Sequence, residues 1–287
     1  MISEKQLAEA YDECRKIALG HYENFPVGSI LIPKELRQHF FALYAFMRTA
    51  DDFADLPIRP AQERLKLLAD WREKLKEAVS GSEPEDPIFV ALQNTIAVCK
   101  LSIEPLYKLI EAFEFDAKGE VHFQTFDDLR WYTSRSAEPV GVLVLGLFGY
   151  HDQQRIKLSN DICTGLQLLN FIQDIREDLE NHRYYYPQDD SQIFGFEPTQ
   201  SPVNSERLSL ASLFQLDRVE SLIEKGSPLA ESVSGRLRYE LRAVIRAAQK
   251  MIAKIRRRGG NTYALRPKLS KLDHSVVLVQ SVLFRVK

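Results

Sequence analysis

One polar line constrains how this chain folds. Around the stretch Asn170 to Pro187, NFIQDIREDLENHRYYYP, polar side chains recur at Gln167, Asn170, Asp174, Asp178 and Asn181. The steps are three, four, four and three residues, which stacks these side chains along one face of an α-helix. Leu166, Leu168, Leu169, Phe171, Ile172, Ile175 and Leu179 supply apolar flanks. A solvated face would carry Lys and Glu, whereas this one carries short carboxylates and amides, whose oxygens suit a hard divalent cation. The flanks predict that the line faces a cavity, where a buried polar group without a partner costs about 1–3 kcal/mol. The pattern predicts a long helix over 153–182, with Arg183, Tyr184, Tyr185 and Tyr186 following and Pro187 stopping it.

A second line lies in ALYAFMRTADDFAD, where Tyr44, Arg48, Asp51 and Asp55 fall at steps of four, three and four. Taken alone, Asp51, Asp52 and Asp55 read as a solvated helix end, although acids there oppose the helix dipole. Two such lines, each with aspartates at i and i+4, point instead to several Mg²⁺ ions and, through them, a diphosphate. Arg48 has two readings, a salt-bridge partner of Asp51 or Asp55, or a guanidinium for diphosphate oxygens. Arg183 has the same two. His21 reads as a loop histidine and Tyr132 as a core aromatic.

The rest of the chain repeats the helical period. Apolar positions predict helices over 3–19, from Pro33 to Asp55, from Pro60 to 79, and over 88–100, 104–118 and 126–136. Glu138-Pro139-Val140-Gly141 opens a very apolar helix, VGVLVLGLFGY. Further helices are expected over 205–225, 228–258 and 268–284, the second of these capped by Gly259-Gly260-Asn261. Gln188 to Pro202 reads as a loop placed to act as a lid. No alternating strand pattern and no repeat is present. The expected fold is therefore all-α, a single-domain helical bundle over residues 1–287 around a central cavity.

Composition narrows the function classes. A formal net charge of -2 gives no reason to expect nucleic acid as a partner. Cys14, Cys99 and Cys163 are scattered, forming neither a disulfide framework nor a zinc site, which fits a reducing cytosol. The charged segment MISEKQLAEAYDECRK has no apolar run of a signal peptide. No stretch reaches the ~18 apolar residues of a membrane span.

At these residues the chain resembles the squalene/phytoene synthase family of head-to-head isoprenoid enzymes, over about 15–270. The family's first motif, an Arg followed by two aspartates four apart, stands here as RTADDFAD. The second, N-x-x-x-D-x-x-x-D followed by R-x-Y, stands as NFIQDIREDLENHRYYYP. The resemblance implies an all-α fold, with Asp51, Asp55, Asn170, Asp174 and Asp178 holding Mg²⁺ (or Mn²⁺ in its place) that bridges the substrate diphosphate. It places Gln167 one turn before the metal-site Asn, Arg48 and Arg183 on the diphosphate, and Arg266 at a further diphosphate contact near the C-terminal end. It puts Tyr132 near the reacting carbons, Tyr185 among the substrate-binding residues, and His21 and Phe25 at the substrate entrance.

Within the family, HYENFPVGSILIP and YAFMRTADDFAD most resemble the hydroxysqualene synthases of bacterial hopanoid operons. Two departures set the chain off the phytoene synthase pattern. Asn181-His182 precede Arg183 where Gly is usual, and SAEPVG replaces A-G-x-V-G. The expected reaction is ionisation of presqualene diphosphate and capture of the cation by water, with no NADPH. Phe25, Tyr44, Phe46 and Phe171 are the aromatic faces expected to stabilise the cation. The rivals are condensation of two prenyl diphosphates and a catalytically silent relative acting in assembly. The lipid substrate leaves peripheral membrane contact and association with pathway enzymes open.

Overall fold

The computed structural model describes residues 2–20, 32–55, 59–119, 121–197 and 205–286. His21 and Phe25 lie outside them, as does most of HYENFPVGSILIP. The described residues form helices and no named strand: α1 (Glu4–Gly20), α2 (Lys34–Asp55), α3 (Ala61–Val79), α4 (Pro87–Cys99), α5 (Glu104–Ala117), α6 (Phe126–Ser136), α7 (Glu138–Leu147), α8 (Gln153–Gln173), α9 (Ile175–Glu180), α10 (Gln188–Phe194), α11 (Ser205–Gly226), α12 (Leu229–Ser232), α13 (Gly235–Arg257) and α14 (Lys271–Leu283). No helix among them is long and apolar enough to cross a membrane.

Local chemistry sets many of these boundaries. Asp86 caps α4 by accepting from the Ile88 amide at 3.0 Å, with Pro87 at the first helical position. Lys100 then leaves that helix in the left-handed region, φ 52°. Thr125 and Asp128 form a reciprocal capping box on α6, and Ser270 and Asp273 do the same on α14. Arg64 donates to the Ala54 carbonyl at 2.8 Å, satisfying a group that the end of α2 leaves open.

The chain divides into two compact units. The first comprises residues 1–118 and 139–151. Its core centres on Phe46, Trp71 and Phe89, with Phe46 stacked on Trp71 at 5.8 Å and Trp71 against Phe89 at 4.5 Å. Phe46 is therefore a core residue, fully buried, and not an aromatic face for a ligand. A buried polar knot ties three helices together here. The Tyr11 hydroxyl lies 3.0 Å from both His39 Nδ1 and Thr95 Oγ1, and Asn94 donates to it at 2.9 Å. Burial pushes the nearby Cys14 thiol up to about 12, so it stays protonated and unreactive.

The second unit comprises residues 119–138 and 152–287. Its main contact is α8 on α11, and two glycines permit the close approach. A Cβ on Gly165 would meet the Ile223 side chain at 3.0 Å, and one on Gly226 would meet the Leu158 carbonyl oxygen at 2.7 Å.

Four expected boundaries are corrected in this unit. The single helix over 153–182 bends at Asp174 (φ -98°, ψ 8°), so α8 and α9 are separate segments. The helix ends at Glu180 and not at Pro187, because His182 turns the chain with φ 58°. Residues 183–186 then lie outside any helix, with Tyr184 bridged in parallel to His122 and its amide bonded to the Val121 carbonyl at 2.9 Å. The expected loop from Gln188 begins as α10, which Pro187 opens. Asp190 anchors α10 to α11 by accepting from Gln215 at 2.6 Å and pairing with Arg218, so this half of the expected lid is fastened. The helix expected over 228–258 is interrupted at Val233 and Ser234, between α12 and α13.

Gly226→Ala tests the α8–α11 packing. Alanine gains up to about 1 kcal/mol of helix propensity in an open site. Here the added methyl meets a backbone carbonyl that cannot swing away, and overpacking of this kind costs about 1–3 kcal/mol. We expect net destabilisation by urea unfolding; a midpoint at or above that of the parent protein would contradict the close approach.

Candidate active site

In the first unit, α2 presents Arg48, Asp51, Asp52 and Asp55 over its last two turns. The Arg48 guanidinium lies 3.3 Å from Asp51 and 2.6 Å from Asp52. Arg48 thus pairs with Asp51, as the salt-bridge reading expects, and also with Asp52. Both carboxylates are partly exposed while the guanidinium is mostly buried. Asp55 follows one turn after Asp51 and is exposed.

In the second unit, α8 and α9 carry the longer line. Asn170 and Asn181 are exposed, and Gln167, Asp174 and Asp178 are half-buried. The line is therefore not a row of five buried groups. Asn181 turns back on its own helix, donating to the Glu177 carbonyl at 2.9 Å. Asp174 and Asp178 remain close across the bend, and the Asp178 amide bonds to the Asp174 carbonyl at 2.9 Å. Burial and then the like charge of Asp174 push Asp178 up to about 7, against the pull of Arg183 and Arg266.

Arg266 comes to this line from 92 residues further along the chain and holds Asp174 through a fork. Nε donates to one carboxylate oxygen and a terminal nitrogen to the other at 3.0 Å. Gln173, which sequence reasoning missed, donates to the Pro267 carbonyl at 3.1 Å and so fixes the segment bearing Arg266. Its signal in the sequence is nil, since a lone Gln beside an Asp is unremarked without knowing where Pro267 lies.

Beside the line sits an aromatic cluster. Tyr185 stacks on Phe171 with centroids 3.8 Å apart and planes 7° from parallel. Tyr132 packs against both, at 6.0 Å from Tyr185 and 6.4 Å from Phe171. Phe123 completes the group, 5.5 Å from Tyr132. All four are at least nine-tenths buried. The structure thus joins Tyr132, Phe171 and Tyr185, which are far apart in sequence, and adds Phe123. The non-helical run 183–186 sorts the other tyrosines elsewhere. Tyr186 is buried with its hydroxyl 2.8 Å from Ser212, and the Tyr184 hydroxyl lies 3.3 Å from His182.

Carboxylate pairs at i and i+4, with an adjacent amide, are oxygen donors of the kind Mg²⁺ takes. That ion is commonly bound through one or two carboxylates plus substrate phosphates and retained waters. Among the described residues no three His, Cys, Asp or Glu gather as a complete cage. The repulsion between Asp174 and Asp178 is a local reason for a cation to bind, since it would relieve the cost that raises Asp178. The residues therefore fit a divalent ion presented by a diphosphate.

The comparisons with known proteins are consistent with this geometry. Residues 19–273 match the family model described as squalene/phytoene synthase. The fold superposes with a TM-score of 0.83 on the crystal structure of squalene synthase HpnC from Alicyclobacillus acidocaldarius, at 37% identity over 90% of this chain and 97% of that one. A 15-cis-phytoene synthase of Synechococcus elongatus is 31% identical over 235 residues, 76% of this chain and 75% of that protein. The hydroxysqualene synthase of Zymomonas mobilis is 35% identical over 181 residues, 61% of this chain and 59% of that protein.

Arg48→Ala and Arg183→Ala separate ligand binding from stability. A hydrogen bond to a charged group contributes about 1.5–3 kcal/mol, so each variant is expected to bind a prenyl diphosphate analogue roughly 10- to 100-fold more weakly. The urea midpoint reads the stability of each variant separately, and the loss of affinity is expected to exceed any loss of stability. Unchanged affinity by titration calorimetry would leave both arginines as structural ion-pair partners.

Proposed function

Since the chain belongs to the squalene/phytoene synthase family, we propose that it is a Mg²⁺-dependent enzyme that ionises presqualene diphosphate, captures the cation with water to give hydroxysqualene and releases diphosphate. The family's members are prenyltransferase-type isoprenoid synthases. The choice of product rests on the likeness to the hydroxysqualene synthase and to the squalene synthase structure. On this reading the whole chain serves as one synthase domain in squalene and hopanoid biosynthesis. The identity to phytoene synthases supports a second reading, head-to-head condensation of two prenyl diphosphates.

Asp51 and Asp55 on α2 would hold Mg²⁺ in the first unit, and Asn170, Asp174 and Asp178 on α8 and α9, with Gln167 one turn before them, would hold Mg²⁺ in the second. When bound, it neutralises the charge that develops on the departing diphosphate. The arginines act through exchange of partners. Arg48 now rests on Asp51 and Asp52, and Arg266 on Asp174. Each guanidinium can transfer its fork from carboxylate to diphosphate oxygens, leaving the carboxylates to the cation. Arg183 supplies a third positive group beside Asp178.

Loss of diphosphate leaves a carbocation, which stray water would quench at random. Apolar and aromatic walls exclude that water, and aromatic faces stabilise the cation through their quadrupoles. Tyr132, Phe171 and Tyr185 are suited to this as a preassembled cluster. The hydroxyls of Tyr132 and Tyr185 are the groups proposed to place the one water that ends the reaction.

Two outcomes test the reading. Excess chelator should abolish turnover and added Mg²⁺ restore it, and Asp51→Asn, Asp174→Asn and Asp178→Asn should each lower kcat by roughly 100-fold or more, the scale lost with a single electrostatic catalytic group. With presqualene diphosphate in ¹⁸O-labelled water and no reduced nicotinamide, mass spectrometry should find labelled hydroxysqualene. Squalene formed only with NADPH, or a phytoene-type product from two prenyl diphosphates, would assign the chain to another branch.

A further inference from the structure

Helix α14 is amphipathic in the wrong sense for a helix whose partner is the protein core. Its inward stripe is Asp273, Val277 and Ser281, and polar contacts to α13 hold it. Lys250 and Lys254 lie 3.1 and 3.6 Å from the Asp273 carboxylate. Arg242 reaches the Ser281 carbonyl at 3.4 Å, and Arg246 donates to the Phe284 and Arg285 carbonyls at 3.1 and 2.8 Å. At 100° per residue the opposite face is mostly apolar, with Lys271 and Ser275 among its aliphatic side chains. Leu272, Leu278, Val279, Val282 and Leu283 lie there, between 56 and 73% exposed.

We propose that this outward face of α14 docks the protein on an anionic lipid surface. Five adjacent large aliphatic side chains left in water on one short helix cost free energy unless something covers them. Charge selects the occupant. Residues 267–287 carry four basic residues, Lys268, Lys271, Arg285 and Lys287, against a single acid, Asp273, in a chain whose net charge is -2. That acid faces inward and is already paired with two lysines. Lys268 and Lys271 at the start of α14 and Arg285 just past its end are exposed. A second copy of the same face would bring like charges together, whereas anionic headgroups complement them. With 13 residues the helix is about 20 Å long, too short to span a bilayer but suited to lie in its interface with the apolar side down. The inference stands on α14 and α13 alone and does not depend on which reaction the protein catalyses.

The test is vesicle flotation of the full chain with phosphatidylglycerol–phosphatidylcholine vesicles and with phosphatidylcholine vesicles. The protein should float with the first, less so in high salt, and poorly with the second. The triple variant L272Q/V279Q/L283Q should bind at least about tenfold more weakly. Its melting curve should stay close to the parent's, since the three side chains are largely exposed already. The pair Lys268→Glu and Lys271→Glu should reduce flotation on anionic vesicles alone. No flotation, or flotation that the triple variant retains, overturns the proposal. So does a concentration-dependent dimer in sedimentation that the triple variant abolishes, which would assign the face to a second copy.

Discussion

Two carboxylates four residues apart in a half-dry setting are the constraint on which the rest of the second unit depends. Asp174 and Asp178 would separate if the chain allowed it. The backbone bond between them and the packing of α8 on α11 deny them that. What makes the pair tolerable is cationic company, with Arg266 forked on Asp174 and Arg183 acting on Asp178. Asp178 still rises to about 7, through burial first and the like charge of Asp174 second. On the proposed function, a divalent cation would take the place of the arginines beside these carboxylates. The arginines that balance the acids are of the chemistry that binds diphosphate. On the proposed function, one set of ion pairs would serve both states.

The helices were legible wherever burial is one-sided. From α1 to α6 the apolar stripe repeats at 3.6 residues and Pro, Asp or Thr marks the starts, so the sequence period and the structure agree within a residue or two. The departures cluster around the site. The bend at Asp174 leaves no trace in the periodicity, since the i, i+4 spacing survives it. Pro187 looks like a stop and is instead a start, because Pro suits the first turn of the following helix as well as the end of the one before. The left-handed turn at His182 is a backbone event that a non-glycine residue conceals.

The candidate residues were legible unevenly for the same reason. Aspartates and arginines at helical spacing announce themselves within one segment. The aromatic cluster does not, because Phe123, Tyr132, Phe171 and Tyr185 come from four separate segments and only tertiary packing assembles them. Gln173 is invisible for a similar reason, its partner being a backbone carbonyl near the other end of the chain. Phe46 misled in the opposite direction. Its place one turn from the acidic line suggested a ligand face, but the helix turns it into the stack with Trp71 and Phe89.

The polar knot of Tyr11, His39, Thr95 and Asn94 has a consequence for how the first unit comes apart. Apolar packing lets a helix slide by a turn at modest cost, because one leucine serves nearly as well as the next. A buried hydroxyl bonded to partners on two other helices has no such second-best position. Helix α1 is therefore either seated with all of these bonds made or detached with their donors and acceptors returned to water. Its amide protons should then exchange in step with those of α2 and α4, as one cooperative block, and not fray independently of them.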